Sequence, residues 1–222
     1  MRVYHFVAAP FAMQAIERQR LKVATINELN DPFELLACDL TNKEYRRGFL
    51  NWKKRTASRV GFLCFTRTWR DPLLWSHYAD RHHGVALEME IDDQIAIPVC
   101  YSTTRLRLNV GQIMRNGGFS GDLAERLASS KSKHWCYEKE IRVPVCLAAC
   151  IVEKGLYFEK LSEQVKITGV ILGPLSKVTA TDLQRVLPRG QKILVRWSRL
   201  AFGTYDIVCN KAKPMQVVYG TA

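Results

Sequence analysis

Short apolar runs of strand length constrain this chain more than any other feature. Residues 61–66, Gly-Phe-Leu-Cys-Phe-Thr, form an unbroken run that suits one buried strand and is too short for a helix. Residues 84–91 and 140–145 instead alternate apolar with polar, the period of a strand. Further strands are expected at 3–7, 21–26, 95–101, 167–173, 192–197 and 216–219. Helical patterns are fewer. Pro10 opens one over 10–20 with Phe11, Ala15 and Ile16 on one face, and the Asp71-Pro72 pair caps a short one through Tyr78. One or two helices are expected within 106–130, broken at Gly117-Gly118, and another at about 181–187 capped by Thr179 or Thr181. Residues 27–34 carry Asn-Asp-Pro turn chemistry and read as a structured loop. Strands outnumber helices without alternating regularly with them, so the expected class is α+β rather than a doubly wound sheet.

The apolar share, 47% of 222 residues, excludes a disordered tail and supplies enough core for one domain, 1–222, without metal or disulfide staples. No signal-peptide run opens the chain, and no stretch approaches the roughly 18 apolar residues of a membrane span. A cytoplasmic protein without a membrane partner is expected. The seven cysteines form an odd set with no Cys-x-x-Cys pair, and their apolar neighbours suit buried, reduced thiols. His77, His82 and His83 have no metal-ligand spacing, so no metal is expected. Glycine-rich phosphate loops, His-Glu-x-x-His and Gly-x-Ser-x-Gly are all missing.

Thirty-three Lys and Arg against twenty-one Asp and Glu give a formal charge of +12, which favours a polyanionic partner. The cations concentrate in a helical insertion at about 41–59, where Tyr45, Phe49 and Trp52 fall at i, i+4 and i+7 and make one aromatic stripe. Arg46, Arg47, Lys53, Lys54 and Arg55 on its flanks are candidate nucleic-acid contacts. A solvated basic face on an ordinary amphipathic helix is the alternative.

Polar residues also stand at strand ends: His5, Thr66, and the pair Glu138 and Glu140. Two glutamates two apart on a strand share a face. With Trp135 and Tyr137 beside them they suit a sugar hydroxyl or a cationic transition state.

Tyr4-His5-Phe6, Leu29-Asn30-Asp31-Pro32-Phe33-Glu34, Cys64-Phe65-Thr66, Leu74-Trp75-Ser76-His77-Tyr78-Ala79, Trp135-x-Tyr137-Glu138-x-Glu140-Ile141-Arg142 and Ile171-Leu172-Gly173-Pro174, in this order over about residues 3–175, resemble the DUF2971 family of bacterial proteins. The order of a strand histidine, a Phe-Thr strand, a Pro-Leu-Leu-Trp helix bearing tyrosine and a Glu-x-Glu strand is more distantly similar to ADP-ribosyltransferases, including nucleic-acid-modifying members. That resemblance implies a split β-sandwich core with flanking helices and NAD as substrate. His5 would hold a ribose hydroxyl, Tyr78 or Trp75 would stack on nicotinamide, Glu140 would be the catalytic glutamate and Glu138 would orient the acceptor. Asn30, Thr66 and Arg67 would complete the NAD site, with Arg67 or Arg70 at the pyrophosphate. Thr66, Trp75 and Tyr78 all remain open for the middle motif.

Breaking the nicotinamide–ribose bond develops positive charge on the sugar, and a fixed carboxylate stabilises it at that moment. The implied function is transfer of ADP-ribose to a macromolecule, most readily RNA or DNA, by a toxin or anti-phage effector restrained by an antitoxin partner. Two alternatives are a non-catalytic nucleic-acid-binding module and a metal-independent nuclease using His5, His77 or His134.

Overall fold

The computed structural model describes residues 1–108 and 121–221. In chain order the strands are β1 (Arg2–Val7), β2 (Arg20–Thr25), β3 (Val60–Thr66), β4 (Val85–Ile91), β5 (Ile97–Pro98), β6 (Cys100–Ser102), β7 (Ser130–Ser132), β8 (Glu140–Cys146), β9 (Ile151–Glu153), β10 (Leu156–Lys160), β11 (Val165–Leu172), β12 (Lys192–Leu200), β13 (Ile207–Cys209) and β14 (Gln216–Tyr219). The helices are α1 (Ala9–Arg18), α2 (Lys43–Ala57), α3 (Pro72–Tyr78), α4 (Gly121–Ala128) and α5 (Ala180–Val186). The class is α+β, with a large, mostly antiparallel sheet and several helices.

That sheet has two halves. One runs from β12, edged by β13 and β14, through β11 and β4 to β1; the other runs from β5 through β8, β3, β2 and β10 to β9. β1 pairs with β4 along its whole length, and β3 does the same with β8. Between β1 and β3 the ladder holds one pair, Tyr4 opposite Thr66. Beyond it the strands part, and a ladder carbonyl without a partner would be costly there. His5 supplies the partner: its Nδ1 lies 2.9 Å from the Cys64 carbonyl oxygen.

Local chemistry explains the helix ends. Asp71 caps α3 by accepting the Leu73 N–H at 2.9 Å. Thr179 and Asp182 exchange side-chain and backbone bonds in a capping box that opens α5. The main core lies around the strands and gathers Val3, Ile16, Leu63, Leu87, Met89, Ile141 and Val170. A second cluster, with Phe49, Trp52, Phe62 and Leu127, lies beneath α2.

Several expectations change. The buried face of α1 is Ala12, Ala15 and Ile16, while Phe11 is 63% exposed. On α2, Phe49 and Trp52 are buried but Tyr45 is exposed, so the aromatic stripe covers the core over two positions only. All the cysteines are free, and only Cys38 is fully buried; Cys100, Cys136, Cys146 and Cys209 are exposed. A strand turns successive side chains to opposite faces, so apolar neighbours in sequence do not bury a thiol. The strand expected over 95–101 is broken into β5 and β6. Of the helices expected within 106–130 the structure has α4; Gly117-Gly118 lies outside the described residues. No helix among the described residues is long and apolar enough to cross a membrane.

Candidate functional site

Where β1 and β3 separate, a cleft of about 270 Å³ opens, lined by residues from both sheet halves, α3 and the loop after β2. His5 and Phe6 come from β1, Cys64, Phe65 and Thr66 from β3, Leu74 and Tyr78 from α3, and Leu29 and Asn30 from the loop. Lys131, Glu138 and Glu140 complete the lining.

A hydrogen-bonded chain runs along one wall. Asn30 Nδ2 donates to the Tyr78 hydroxyl at 2.9 Å, and that hydroxyl donates to Glu138 Oε1. Lys131 Nζ donates to Glu138 Oε2 at 2.6 Å and to Glu140 Oε2 at 3.2 Å. Arg142 then meets Glu140 through Nε at 2.8 Å and one terminal nitrogen at 3.0 Å. It also grips both oxygens of Glu34, at 2.9 and 2.5 Å, and donates to the Ala128 carbonyl at 2.6 Å. All five guanidinium N–H groups therefore have an acceptor, as a side chain 1% exposed requires.

Glu34, Glu138 and Glu140 against Lys131 and Arg142 leave one negative charge in excess, and all five side chains are buried. Burial opposes ionisation of Glu140, but the Arg142 and Lys131 charges outweigh it and hold this carboxyl below its usual range. At Glu138 burial wins over Lys131 and Tyr78, and the pKa lies above the usual carboxylate value. Burial and the Glu138 carboxylate raise the Tyr78 phenol far out of reach of neutral pH, so it stays a donor. Burial lowers the His5 pKa; a neutral ring with its proton on Nδ1, toward Cys64, keeps Nε2 as an acceptor.

The two glutamates differ in what they have left to offer. Arg142 twice and Lys131 bond Glu140, which fills three of about four acceptor positions of a carboxylate. Among the described residues Glu138 accepts from Lys131 and Tyr78 alone. The pair also does not share a strand: Glu138 ends a 3-10 turn, Lys133–Glu138, and Glu140 begins β8. Lys139 between them has φ 45°, and this left-handed residue lets both carboxylates meet one ammonium.

Of the residues singled out in the sequence, His5, Asn30, Thr66, Tyr78, Glu138 and Glu140 share the cleft. Thr66 spends its hydroxyl locally, bonding the backbone of Thr68. Trp75 is not available for stacking on a ligand. Its side chain is fully buried, edge-on to Phe6 with centroids 4.9 Å apart, and its indole N–H donates to the Trp69 carbonyl at 2.6 Å. Arg67 is exposed and outside the cleft lining, because β3 ends at Thr66 and the chain turns away. Arg70 pairs with Asp206. Trp135 and Tyr137 are not in the lining either; Trp135 lies over Lys131, 4.8 Å from ring centre to Nζ. On α2, Arg46 is folded onto the Leu40 and Thr41 carbonyls, Lys53 is half-buried, and Arg47, Lys54 and Arg55 are exposed.

The sequence reading missed Lys131, Arg142, Glu34 and Tyr101, whose hydroxyl accepts the Glu140 N–H at 2.8 Å and whose pKa is pushed up to about 12 by burial. A signal existed for Arg142, which shares a strand face with Glu140. Lys131 lies in Ser-Ser-Lys-Ser-Lys, which reads as solvated chain. Among the described residues no group of three His, Cys, Asp or Glu is placed to hold a metal ion. Comparison of the chain with family models, curated proteins and solved structures returns no match.

Proposed function

We propose that this chain is an NAD-dependent ADP-ribosyltransferase acting on a macromolecule, with nucleic acid as the preferred acceptor, and that it belongs with the DUF2971 proteins it resembles. The observation that carries this reading is the convergence of His5, Tyr78 and Glu138 on one cleft at the seam of two sheet halves. A split β-sandwich of the ADP-ribosyltransferase kind accounts for a seam of that form. A cleft of 270 Å³ is below the roughly 300 Å³ at which pockets for drug-sized ligands begin. It therefore takes the nicotinamide riboside end of NAD, with the adenylate toward the mouth.

In this reading the bond between ribose C1′ and the nicotinamide nitrogen breaks, and its electron pair leaves with nicotinamide. The excess negative charge of the Glu34, Glu138 and Glu140 cluster stabilises the cationic sugar. His5 accepts a ribose hydroxyl. The acceptor's nucleophilic atom bonds C1′ and passes its proton to Glu138, whose raised pKa and unfilled acceptor positions suit a base. Glu140 acts through its charge and by holding Lys131 and Arg142 in place. Glu138, expected from the resemblance to orient the acceptor, thus also takes its proton in this reading.

The test is incubation with NAD and RNA, DNA or cell lysate, reading nicotinamide release and the mass gained by the acceptor. No nicotinamide release and no transfer under any condition would overturn the enzyme reading. Toxicity is tested by expressing the wild type and Glu138→Gln in growing bacteria; equal growth of both argues against a toxin and its antitoxin. A non-catalytic nucleic-acid module draws its support from the exposed Arg47, Lys54 and Arg55. The nuclease reading loses ground, since His77 and His134 are exposed and absent from the cleft lining that holds His5.

A further inference from the structure

Behind the wall that carries Lys131 lies a second, smaller cavity of about 160 Å³. The short parallel ribbon of β6 and β7 divides the two, pairing Tyr101 with Lys131 and Ser102 with Ser132. Lys131 lines both cavities, and Tyr101 reaches the Glu140 backbone on the cleft side. Ser102, Ser130 and Ser132 line the second cavity. Asp31 and Phe33 line it as well, and their neighbour Asn30 lines the first cleft.

Asp31 is the chemically informative residue. It is 3% exposed, and its Oδ1 accepts the Phe33 N–H at 2.9 Å. Among the described residues no donor is bonded to Oδ2, which is left as an acceptor on the cavity wall. Beside it the Phe33 ring is half exposed and carries the Arg105 guanidinium 4.8 Å from its centre. A flat aromatic–guanidinium surface is one on which nucleobases stack. A cavity this small takes one ring system and excludes a whole nucleotide.

The geometry points to a guanine-binding site for the acceptor strand. Guanine is the natural base whose Watson–Crick edge offers two adjacent N–H donors, and Asp31 can meet both, one at Oδ2 and one at the lone pair of Oδ1 that the Phe33 N–H leaves. Adenine and cytosine present an acceptor next to their amino group, which a carboxylate repels. Thymine and uracil flank their single N–H with carbonyls. The ribbon then sets the base beside the NAD cleft, with Lys131 common to both. The site rests on the nucleic-acid acceptor of the proposed function and names which base it reads.

The experiment uses the full chain and labelled oligothymidylates, with oligouridylates as the RNA arm, each carrying one central guanine, hypoxanthine, adenine or cytosine, and reads binding by fluorescence anisotropy. Guanine is expected to bind about 10-fold tighter than hypoxanthine, which lacks only the 2-amino group. Asp31→Asn retains an oxygen for the Phe33 N–H but presents an amide where Oδ2 was, and should bring the two to parity. Phe33→Ala should weaken all four bases alike. Equal binding of guanine and hypoxanthine by the wild type overturns the site, as does a guanine preference that survives Asp31→Asn. If circular dichroism finds Asp31→Asn unfolded, competition on the wild type decides: guanosine must displace the oligonucleotide and inosine must not. Nicotinamide release without nucleic acid is measured in parallel. Its absence removes the enzyme reading alone, while the base preference stands or falls on binding.

Discussion

Lys131 Nζ lies 2.6 Å from Glu138 Oε2, with both side chains about 5% exposed. The ammonium is shared with Glu140 and approaches Glu34 at 3.9 Å, so one cation serves three carboxylates. Removing one member of a buried pair strands its partner and typically costs about 3–5 kcal/mol. Lys131→Met should lose about that much in urea unfolding at neutral pH. Without its cation, Glu138, already raised by burial, rises further. A carboxyl with a raised folded pKa destabilises above its unfolded value near 4.5, so the deficit should shrink as pH falls toward 5. A deficit independent of pH would mean that lost packing, not charge, was measured.

The glutamates should separate by experiment. In the proposed reaction Glu138→Gln removes the base and should lower transfer about 10²- to 10³-fold with a small change in melting temperature. Glu140→Gln withdraws the partner of two cations and should lower the melting temperature more. Equal thermal shifts in the two variants would contradict the division of roles.

Tyr78→Phe deletes the hydroxyl that Glu138 accepts. That bond lowers the Glu138 pKa, so losing it should move the acidic limb of the activity–pH profile upward. An unmoved limb would remove Glu138 from the proton transfer.

His5 and His82 both have pKa values lowered by burial. A histidine depressed in the folded state binds its proton more readily when unfolded, so stability is present above about 6.5 and declines as pH falls below it. Unfolding free energy should drop between pH 7.5 and 5.5, and His5→Gln should flatten part of that slope, leaving His82's share. An identical slope in the variant would mean that His5 is not buried as described.

Much of the scaffold could be read from local chemistry. The alternation of 84–91 and 140–145, the Asp71-Pro72 cap and the Thr179 box are decided by neighbouring residues, and the structure has β4, β8, α3 and α5 there. The site was half legible. His5, Asn30 and Tyr78 could be named, but the burial of Lys131 depends on Glu34, ninety-seven positions away, and no local pattern announces it. Trp75 misled for the reverse reason: the resemblance of its motif implied a ring stacked on a ligand, whereas its helix turns it into the core. Glu138 looked like a strand residue because the left-handed Lys139 has no signature that distinguishes it from an ordinary strand lysine.

Gly61 permits the close approach of β2 to β3. A Cβ there would lie 2.5 Å from Val23 Cγ1 and 2.9 Å from the Ala24 carbonyl oxygen, and the second neighbour is backbone. Gly61→Ala should cost about 1–3 kcal/mol, read from urea midpoints. A neutral result would mean that the two strands slide without penalty.

The seam has a consequence for how ligands are detected. One imidazole closes the gap between the sheet halves through Nδ1 and lines the cleft, so cohesion and any ligand contact through Nε2 meet on a single ring. A molecule that engages Nε2 braces the joint from within, and heat resistance then becomes a direct gauge of occupancy. Screening candidate substrates by their protection against melting needs no turnover assay at all.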